Sequence, residues 1–513
     1  MPTLPTLPSP DPGAEASARP LAAPAAAAAA AVAAQRALAP APPPPLDLQP
    51  GMVLEGFRLE QALHTGGFAH IWSVTRTDGD HSLPLVMKVP RYLGGREPAA
   101  IVGFEAERLI LPTLIGPHVP RFVASSGFSS QPFIVMERIA GDSLKPRLDA
   151  APLPIAEVTE LGACTAEALD ALHRQRVVHL DVKPSNVMRR PDGTAVMVDF
   201  GLACHRRLPD LLDEAFVLPL GTGPYMSPEQ VQQVRSDPRS DLFALGVMLY
   251  HFTTGARPFG APDTVRGLRR RLYVEAVPPR SLRLDCPPWL QEVILRCLEV
   301  DAGRRWQSGA ELAEALRRPE RIALTARADR SQGESRLTRL RRWIGQRQPV
   351  AAAAPPAPSV LTRAMKGPLI VAAVDVDNAS PALLDRLRQA VARTVAAEPG
   401  ARLACVSVMR VGGIRVDEFI DQQGRPTHVK QLVSLRHWAE PIGRALALDE
   451  RRLTYHVLEA ADAATALVEY AQRNDAEHLV MGARGSSTLR RYLGSVSSQV
   501  VAQANCSVTV VRV

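Results

Sequence analysis

The chain of 513 residues has no apolar run near the roughly 20 residues that a membrane-spanning helix needs. The stretch from Ala22 to Ala34 comes nearest, but it is dominated by alanine, is interrupted by Pro24 and has no basic segment before it. It reads neither as a secretory signal nor as an anchor. Cysteine is sparse: Cys164, Cys204, Cys286, Cys297, Cys405 and Cys506 are scattered, with no C-x-x-C spacing. That pattern excludes a disulfide framework and argues against zinc, so reduced thiols in a cytoplasmic protein are expected. A dominant charge is missing as well. Lys and Arg number 60 against 52 Asp and Glu, a net +8, and the arginines gather in two stretches, so no nucleic-acid partner is expected.

What remains is an ordinary globular balance, 46% hydrophobic and 22% charged, over a length that suits two to four domains. Residues 1–50 are rich in Pro and Ala, ending in Pro42-Pro43-Pro44-Pro45; they have almost nothing to bury and read as a disordered or polyproline-like tail. From Phe57 the texture becomes alternating apolar residues and turns. Leu59–Leu63 and Ala69–Thr75 read as strands, joined by His64-Thr65-Gly66-Gly67-Phe68. Adjacent glycines there let backbone N–H groups approach a phosphate, although a plain hairpin has the same signature. Leu85–Val89 is a strand with Lys88 facing opposite its apolar neighbours, and Phe104–Leu111 is a helical pattern carrying Glu105 and Glu107. Phe133–Arg138 reads as a buried strand, and Ile155–Arg174 as an amphipathic helix with Leu161, Cys164, Ala168, Leu169 and Leu172 on one stripe.

That helix leads to the stretch around which the chain is organised: Val178-His179-Leu180-Asp181-Val182-Lys183-Pro184-Ser185-Asn186, then a short hairpin through Arg190-Pro191-Asp192-Gly193, then Asp199-Phe200-Gly201. Asp181 can take a proton from a hydroxyl, and Lys183 can hold a charged phosphoryl group. Asn186 and Asp199 offer hard oxygen ligands suited to Mg²⁺ shared with phosphates. A lone H-x-D is commonplace. The whole string H-x-D-x-K-P-x-N, hairpin, D-F-G resembles the catalytic and metal-binding loops of protein kinases.

The resemblance covers about residues 57–318 and implies an α+β two-lobed kinase fold over 51–318, with an N-lobe at about 57–138 and a C-lobe at about 139–318. It implies ATP and Mg²⁺ as cofactors and proteins with Ser or Thr acceptors as substrates. Lys88, paired with Glu107 in preference to Glu105, contacts the phosphates; Asp181 and Lys183 are catalytic; Asn186 and Asp199 hold metal; Gly66 and Gly67 belong to the phosphate loop. Where the family has G-x-G-x-x-G, this chain has His64, Gly66 and Ala69, so a looser clasp and a raised KM for nucleotide are expected. Thr222, with Lys183, points to Ser/Thr acceptors. Glu229 needs a buried cation, Arg305 or else Arg304, and Asp241 is expected to brace the catalytic loop. The family's H-R-D is His179-Leu180-Asp181, so the phosphate-receiving Arg is missing. Between Asp199 and Glu229 the only Ser or Thr residues are Thr222 and Ser227, so switching by activation-loop phosphorylation is not expected.

Six arginines lie within 266–283, where a solvated basic face is the default and docking on an acidic surface of a substrate the sharper reading. Residues 319–366 read as a basic linker, with Leu337, Leu340, Trp343 and Ile344 on one helical face and a flexible Ala/Pro segment after it. From 367 to 513 strands alternate with helices: Leu369–Asp375, Pro381–Ala397, Leu403–Met409, a long polar stretch, then Thr454–Leu458, Ala463–Arg473, His478–Met481, Thr488–Ala504 and Ser507–Val513. An α/β doubly wound sheet follows, with ligands at the carboxyl ends of its strands. Gly482-Ala483-Arg484-Gly485, eight residues, then Gly494-Ser495 resembles the universal stress protein family, whose ATP-binding members carry nine residues in that gap. The resemblance implies ATP or AMP near Asp375, Gly482, Gly485, Gly494 and Ser495, or instead a nucleotide-free module through which a homodimer forms. Two readings of the whole stand open: a Ser/Thr kinase regulated by a stress-protein domain, or a scaffold that uses both nucleotide folds without phosphotransfer.

Overall fold

The computed structural model describes residues 47–66, 69–91, 98–128, 130–216, 219–262, 264–331, 367–410, 427–483 and 495–512. The tail before residue 47, Gly67, the amphipathic segment around Trp343, and Arg484, Gly485 and Gly494 fall outside them. Among the described residues no helix is long and apolar enough to cross a membrane.

Alternating sequence builds the first sheet. β1 (Val53–Leu54), β2 (Phe57–Thr65), β3 (Ala69–Arg76), β4 (Leu85–Pro90), β5 (Phe122–Ser126) and β6 (Phe133–Glu137) form an antiparallel sheet in the order β1-β2-β3-β4-β6-β5. On β4, Leu85, Met87 and Val89 enter the core with Leu59, Trp72, Phe133 and Val135. The two-residue period turns Val86 and Lys88 to the other face, against which helix α1 (Pro98–Ile110) is placed. Helix α1 buries Ile101, Phe104 and Ile110, and the Phe104 ring meets Phe128 edge-on at 5.5 Å.

The second lobe is helical. After β7 (Asp142–Ser143), α2 spans Ile155–Arg174, with the bounds its apolar stripe predicts. It delivers the chain to β8 (Val177–Val178), the catalytic loop, the hairpin β9 (Val187–Arg189) and β10 (Ala195–Met197), and β11 (Cys204–His205), which pairs back onto β8. A short helix α3 (Leu211–Ala215) follows within the activation segment, then α4 (Arg239–Thr254), α5 (Pro288–Cys297) and α6 (Gly309–Arg317). Two buried charges fix this lobe. Asp241 at the start of α4 accepts N–H bonds from His179 and Leu180, both at 2.8 Å, and meets His173 of α2 at 2.9 Å. Of the two candidate cations for Glu229, Arg305 takes the role. It is fully buried, grips the carboxylate through two N–H bonds of 2.7 and 2.9 Å, and reaches the carbonyls of Glu299, Val300 and Arg239, whereas Arg304 is exposed beside Asp301.

Parts of two stretches read as solvated or linking are packed, whereas Arg266, Arg269 and Arg270 are exposed as expected. Arg271 lies buried with its guanidinium on the carbonyls of Gly223 and Met226, because a bare backbone turn there needs donors. Residues beyond 318 continue along the lobe: Arg327 pairs with Glu292 and Glu299, and Gln291 donates to the carbonyls of Arg327, Ala328 and Arg330.

The C-terminal domain is a parallel five-stranded sheet, β12 (Leu369–Ala373), β13 (Arg402–Arg410), β14 (Leu453–Ala460), β15 (His478–Gly482) and β16 (Ser507–Val511), in the order β14-β13-β12-β15-β16. Helices α7 (Pro381–Ala397), α8 (Thr427–Ala445), α9 (Ala463–Arg473) and α10 (Ser495–Gln503) cover it. Alternate residues of the buried strand β12 serve opposite layers: Ile370 and Ala372 join Leu387, Val391, Trp438 and Ile442, while Leu369, Val371 and Ala373 join Leu467, Val468 and Val500. This is the doubly wound arrangement expected, with one correction. The polar stretch before β14 holds α8, whose Val429, Leu432, Val433, Leu435, Trp438 and Ile442 are buried.

Removing one member of the Glu229–Arg305 pair strands a buried charge. Glu229→Ala is expected to lower unfolding stability by about 3–5 kcal/mol, and adding Arg305→Met should recover much of it, read from urea midpoints.

Candidate active site

Lys88 of β4 donates to Glu107 of α1 at 2.5 Å and to Asp199 at 2.6 Å, so one ammonium ties sheet, helix and the D-F-G stretch together. Glu107 is buried and also accepts the Phe200 N–H at 3.2 Å. Burial alone would lower the Lys88 pKa, but its two carboxylates raise it, and the ammonium holds the Asp199 carboxyl down at about 2. Asp199 keeps 45% of its side chain open to solvent, and Phe200 is buried with its ring 5.2 Å from that of His179.

The other groups gather on the catalytic loop. Thr222 donates its hydroxyl to Asp181 Oδ1 at 2.6 Å, and Lys183 reaches Asp181 Oδ2 at 2.6 Å and the Thr222 hydroxyl at 3.0 Å. Asn186 donates its amide to the Asp181 carboxylate and to the Asp181 carbonyl, both at 3.0 Å. Among the described residues no cluster of three His, Cys, Asp or Glu forms a metal cage. The Asn186 and Asp199 oxygens fit Mg²⁺ of the kind whose remaining ligands are phosphate and water. The sequence-selected residues thus form two contact groups, Lys88–Glu107–Asp199 and Asp181–Lys183–Asn186, joined where the Val198 N–H donates to the Asn186 carbonyl at 3.0 Å. Gly66 accepts at its carbonyl from Arg91 at 2.7 Å.

Two backbone positions in the cleft are strained. Leu180 and Asp199 hold φ at +62° and +67°, a region disfavoured for side-chain-bearing residues. The two Asp241 bonds hold Leu180 there, and its side chain is buried with Val178 and Cys204. Where the family's Arg would wait for a phosphate, this chain closes an apolar contact.

Elsewhere, Asp375 lies just past β12, exposed and accepting from Asn378, and Gly482 ends β15, with Ser495 opening α10. A Cβ on Gly482 would come 3.1 Å from Leu383 of α7, so helix packing also asks for glycine there.

Sequence reasoning missed Gly103, Arg91 and the role of Glu105. A Gly inside an otherwise helical pattern was the available signal for the first. Helix α1 crosses the D-F-G stretch so closely that a Cβ on Gly103 would come 2.8 Å from the Gly201 carbonyl oxygen. Gly103→Ala should cost about 1–3 kcal/mol in a urea titration; an unchanged midpoint would mean that α1 is not held against Gly201.

Comparison with known proteins agrees with this geometry. The protein kinase domain family matches residues 59–318, and the universal stress protein family matches residues 369–512. A probable serine/threonine-protein kinase of Clostridium perfringens is 27% identical over 241 residues, 46% of this chain and 35% of that protein. The serine/threonine-protein kinase PknA of Mycobacterium tuberculosis is 28% identical over 288 residues, 54% of this chain and 65% of the relative. PknB of Mycolicibacterium smegmatis is 29% identical over 278 residues, 52% and 43% of the two chains. The chain thus spans between about a third and two thirds of the length of these curated relatives. With the kinase match covering half of its length and the cleft built as described, the chain belongs to the protein kinase family and carries a universal stress protein domain behind its kinase lobes.

Proposed function

We propose that the protein transfers the γ-phosphoryl group of ATP to Ser or Thr hydroxyls of protein substrates, under the control of its C-terminal domain. The observation that carries this reading is the closed contact of Lys88 with both Glu107 and Asp199 above the Asp181–Lys183–Thr222 network. Lys88, fixed by Glu107, orients the phosphates across the cleft. Asn186 and Asp199 would hold Mg²⁺, which neutralises phosphate charge when bound. Asp181 receives the proton of the acceptor hydroxyl; its Oδ1 already accepts a hydroxyl donor, Thr222. Lys183, beside that carboxylate, balances charge on the transferred group. Catalysis then rests on positioning and on fixed charges rather than on a covalent intermediate. The kinase names of the relatives support the same reading. A scaffold that only holds nucleotide would need the Lys88–Glu107 contact but not the Asp181–Lys183–Thr222 network.

The C-terminal domain is proposed to take ATP or AMP at the carboxyl ends of its strands, beside Asp375, Gly482 and Ser495, with Gly485 and Gly494 on the connecting segment. Homodimer formation through this domain belongs to the same proposal.

Asp181→Asn should lower the transfer rate to a generic Ser/Thr substrate by about 10²–10⁴-fold with the fold intact; equal rates would dismiss the phosphotransferase reading. Calorimetric titration should find two nucleotides per chain, falling to one in Asp375→Ala. A single nucleotide in the unaltered chain would remove the second site.

A further inference from the structure

Between Asp199 and Glu229 the kinase lobe carries no accessible phosphorylation switch. Thr222 is bound to Asp181 and Lys183, and Ser227 is buried, its hydroxyl accepting from the Gln230 N–H and donating to Ser240. Yet the activation segment carries a helix, α3, and both α3 and α1 are packed in place. Besides their partners within the kinase lobes, both are met by groups of the C-terminal domain.

Glu105 and Glu107 sit two positions apart on α1 and so point to different sides of the helix. Glu107 faces Lys88. Glu105, equally buried, is held by Arg108 of its own helix at 3.1 Å and by Arg436 of α8. Arg108 in turn reaches Glu450, in the connection between α8 and β14, at 2.9 Å. The Arg436 guanidinium passes so near the kinase backbone that a Cβ on Gly127 would come 3.1 Å from it. The face of α1 turned away from Lys88 therefore rests on two cross-domain ion pairs.

A second clamp grips the activation segment. Helix α3 packs against α1 of the kinase lobes and against β14 and α9 of the C-terminal domain. Its Glu214 is buried, meets Arg402 of β13 at 2.8 Å and His456 of β14 at 3.1 Å, and offers its carbonyl to Arg473 of α9 at 2.6 Å. Burial pushes the Glu214 carboxyl up, but Arg402 and His456 outweigh it and leave it at about 2; Glu105 is likewise lowered, Arg436 and Arg108 overcoming its burial. Both carboxylates stay charged at neutral pH, and a buried charge left without its partner is strongly unfavourable. At its other end α3 is capped by Asp210, which pairs with Arg235 at 2.8 Å.

We propose that the C-terminal domain is a built-in activator of the kinase lobes: Arg436 acting through Glu105, and Arg402 with His456 acting through Glu214, hold α1 and α3 where the Lys88–Glu107 contact closes. Glu214 takes the place of a phosphate on the activation segment, and the cations that meet it are supplied by the second domain instead of the catalytic loop. Arg436, Arg402 and His456 are positioning residues; none touches the reacting groups. The inference rests on the phosphotransferase reading and adds the contact through which control is exerted.

The test uses the full chain. Arg436→Ala and Arg402→Ala should each lower kcat by about 10²-fold, the scale on which small misplacements of catalytic groups act, while KM for the peptide substrate holds. Amide hydrogen exchange across residues 98–110 should rise in Arg436→Ala. The conservative Arg436→Lys should restore part of the rate, and the swap of Glu214→Arg with Arg402→Glu should recover more rate than either change alone. If Arg402→Ala does not fold, Arg436→Ala and its Lys counterpart decide. Folded variants with unaltered kcat and unaltered exchange at 98–110 would overturn the inference while leaving the kinase reading intact. Absence of Asp181-dependent transfer in the unaltered chain would instead strike the reading beneath it.

Discussion

The arrangement of the kinase lobes depends on one contact, the Lys88 ammonium between two carboxylates. Each of the three groups comes from a different part of the chain: a strand, a helix and a loop. Each would be costly to bury alone, and together they compensate one another. The contact can form only if β4 presents Lys88 away from the sheet core, if α1 turns Glu107 towards it, and if the backbone at Asp199 accepts a positive φ. Other features support these conditions or the catalytic loop beside them. Gly103 lets α1 approach Gly201, Phe200 is buried beneath, and Asp241 braces the loop on which Asp181 stands.

Much of this was legible from the chain alone. The helix Ile155–Arg174 has the bounds its periodicity gives, and the hairpin before Asp199 lies where its Pro-Asp-Gly turn places it. Lys88 was readable because strand alternation isolates one charge among apolar neighbours. The choice of Glu107 over Glu105 needed the family pattern, since both lie in the same apolar helix and both are buried. Helix α8 was not legible as a helix: its apolar positions are interspersed with His428, Lys430, Gln431, Arg436 and His437, and Pro441 stands inside it. Arg271 failed for the opposite reason. It looked like one more surface arginine in a basic run, and only the fold reveals the backbone carbonyls that draw it inside.

These failures share a cause. Local patterns report which face of an element is apolar, but they are blind to partners hundreds of residues away. The interface between the kinase lobes and the C-terminal sheet is made of such partners. It replaces a phosphate and an arginine by side chains already present in the sequence, while the apolar contact of Leu180 with Val178 and Cys204 fills the position that a phosphate receptor would occupy.

The Glu105–Arg436 pair joins residues 331 positions apart. A ribosome adding about 5–20 residues per second therefore exposes the finished N-lobe for a time on the order of tens of seconds before Arg436 emerges. Throughout that interval Glu105 has only its helical neighbour Arg108, and Glu214 lacks Arg402, His456 and Arg473. A nascent chain, or a product cut short before α8, holds the catalytic loop without the clamps that align it. Completion of translation is thus itself a checkpoint, one that no phosphatase can reverse.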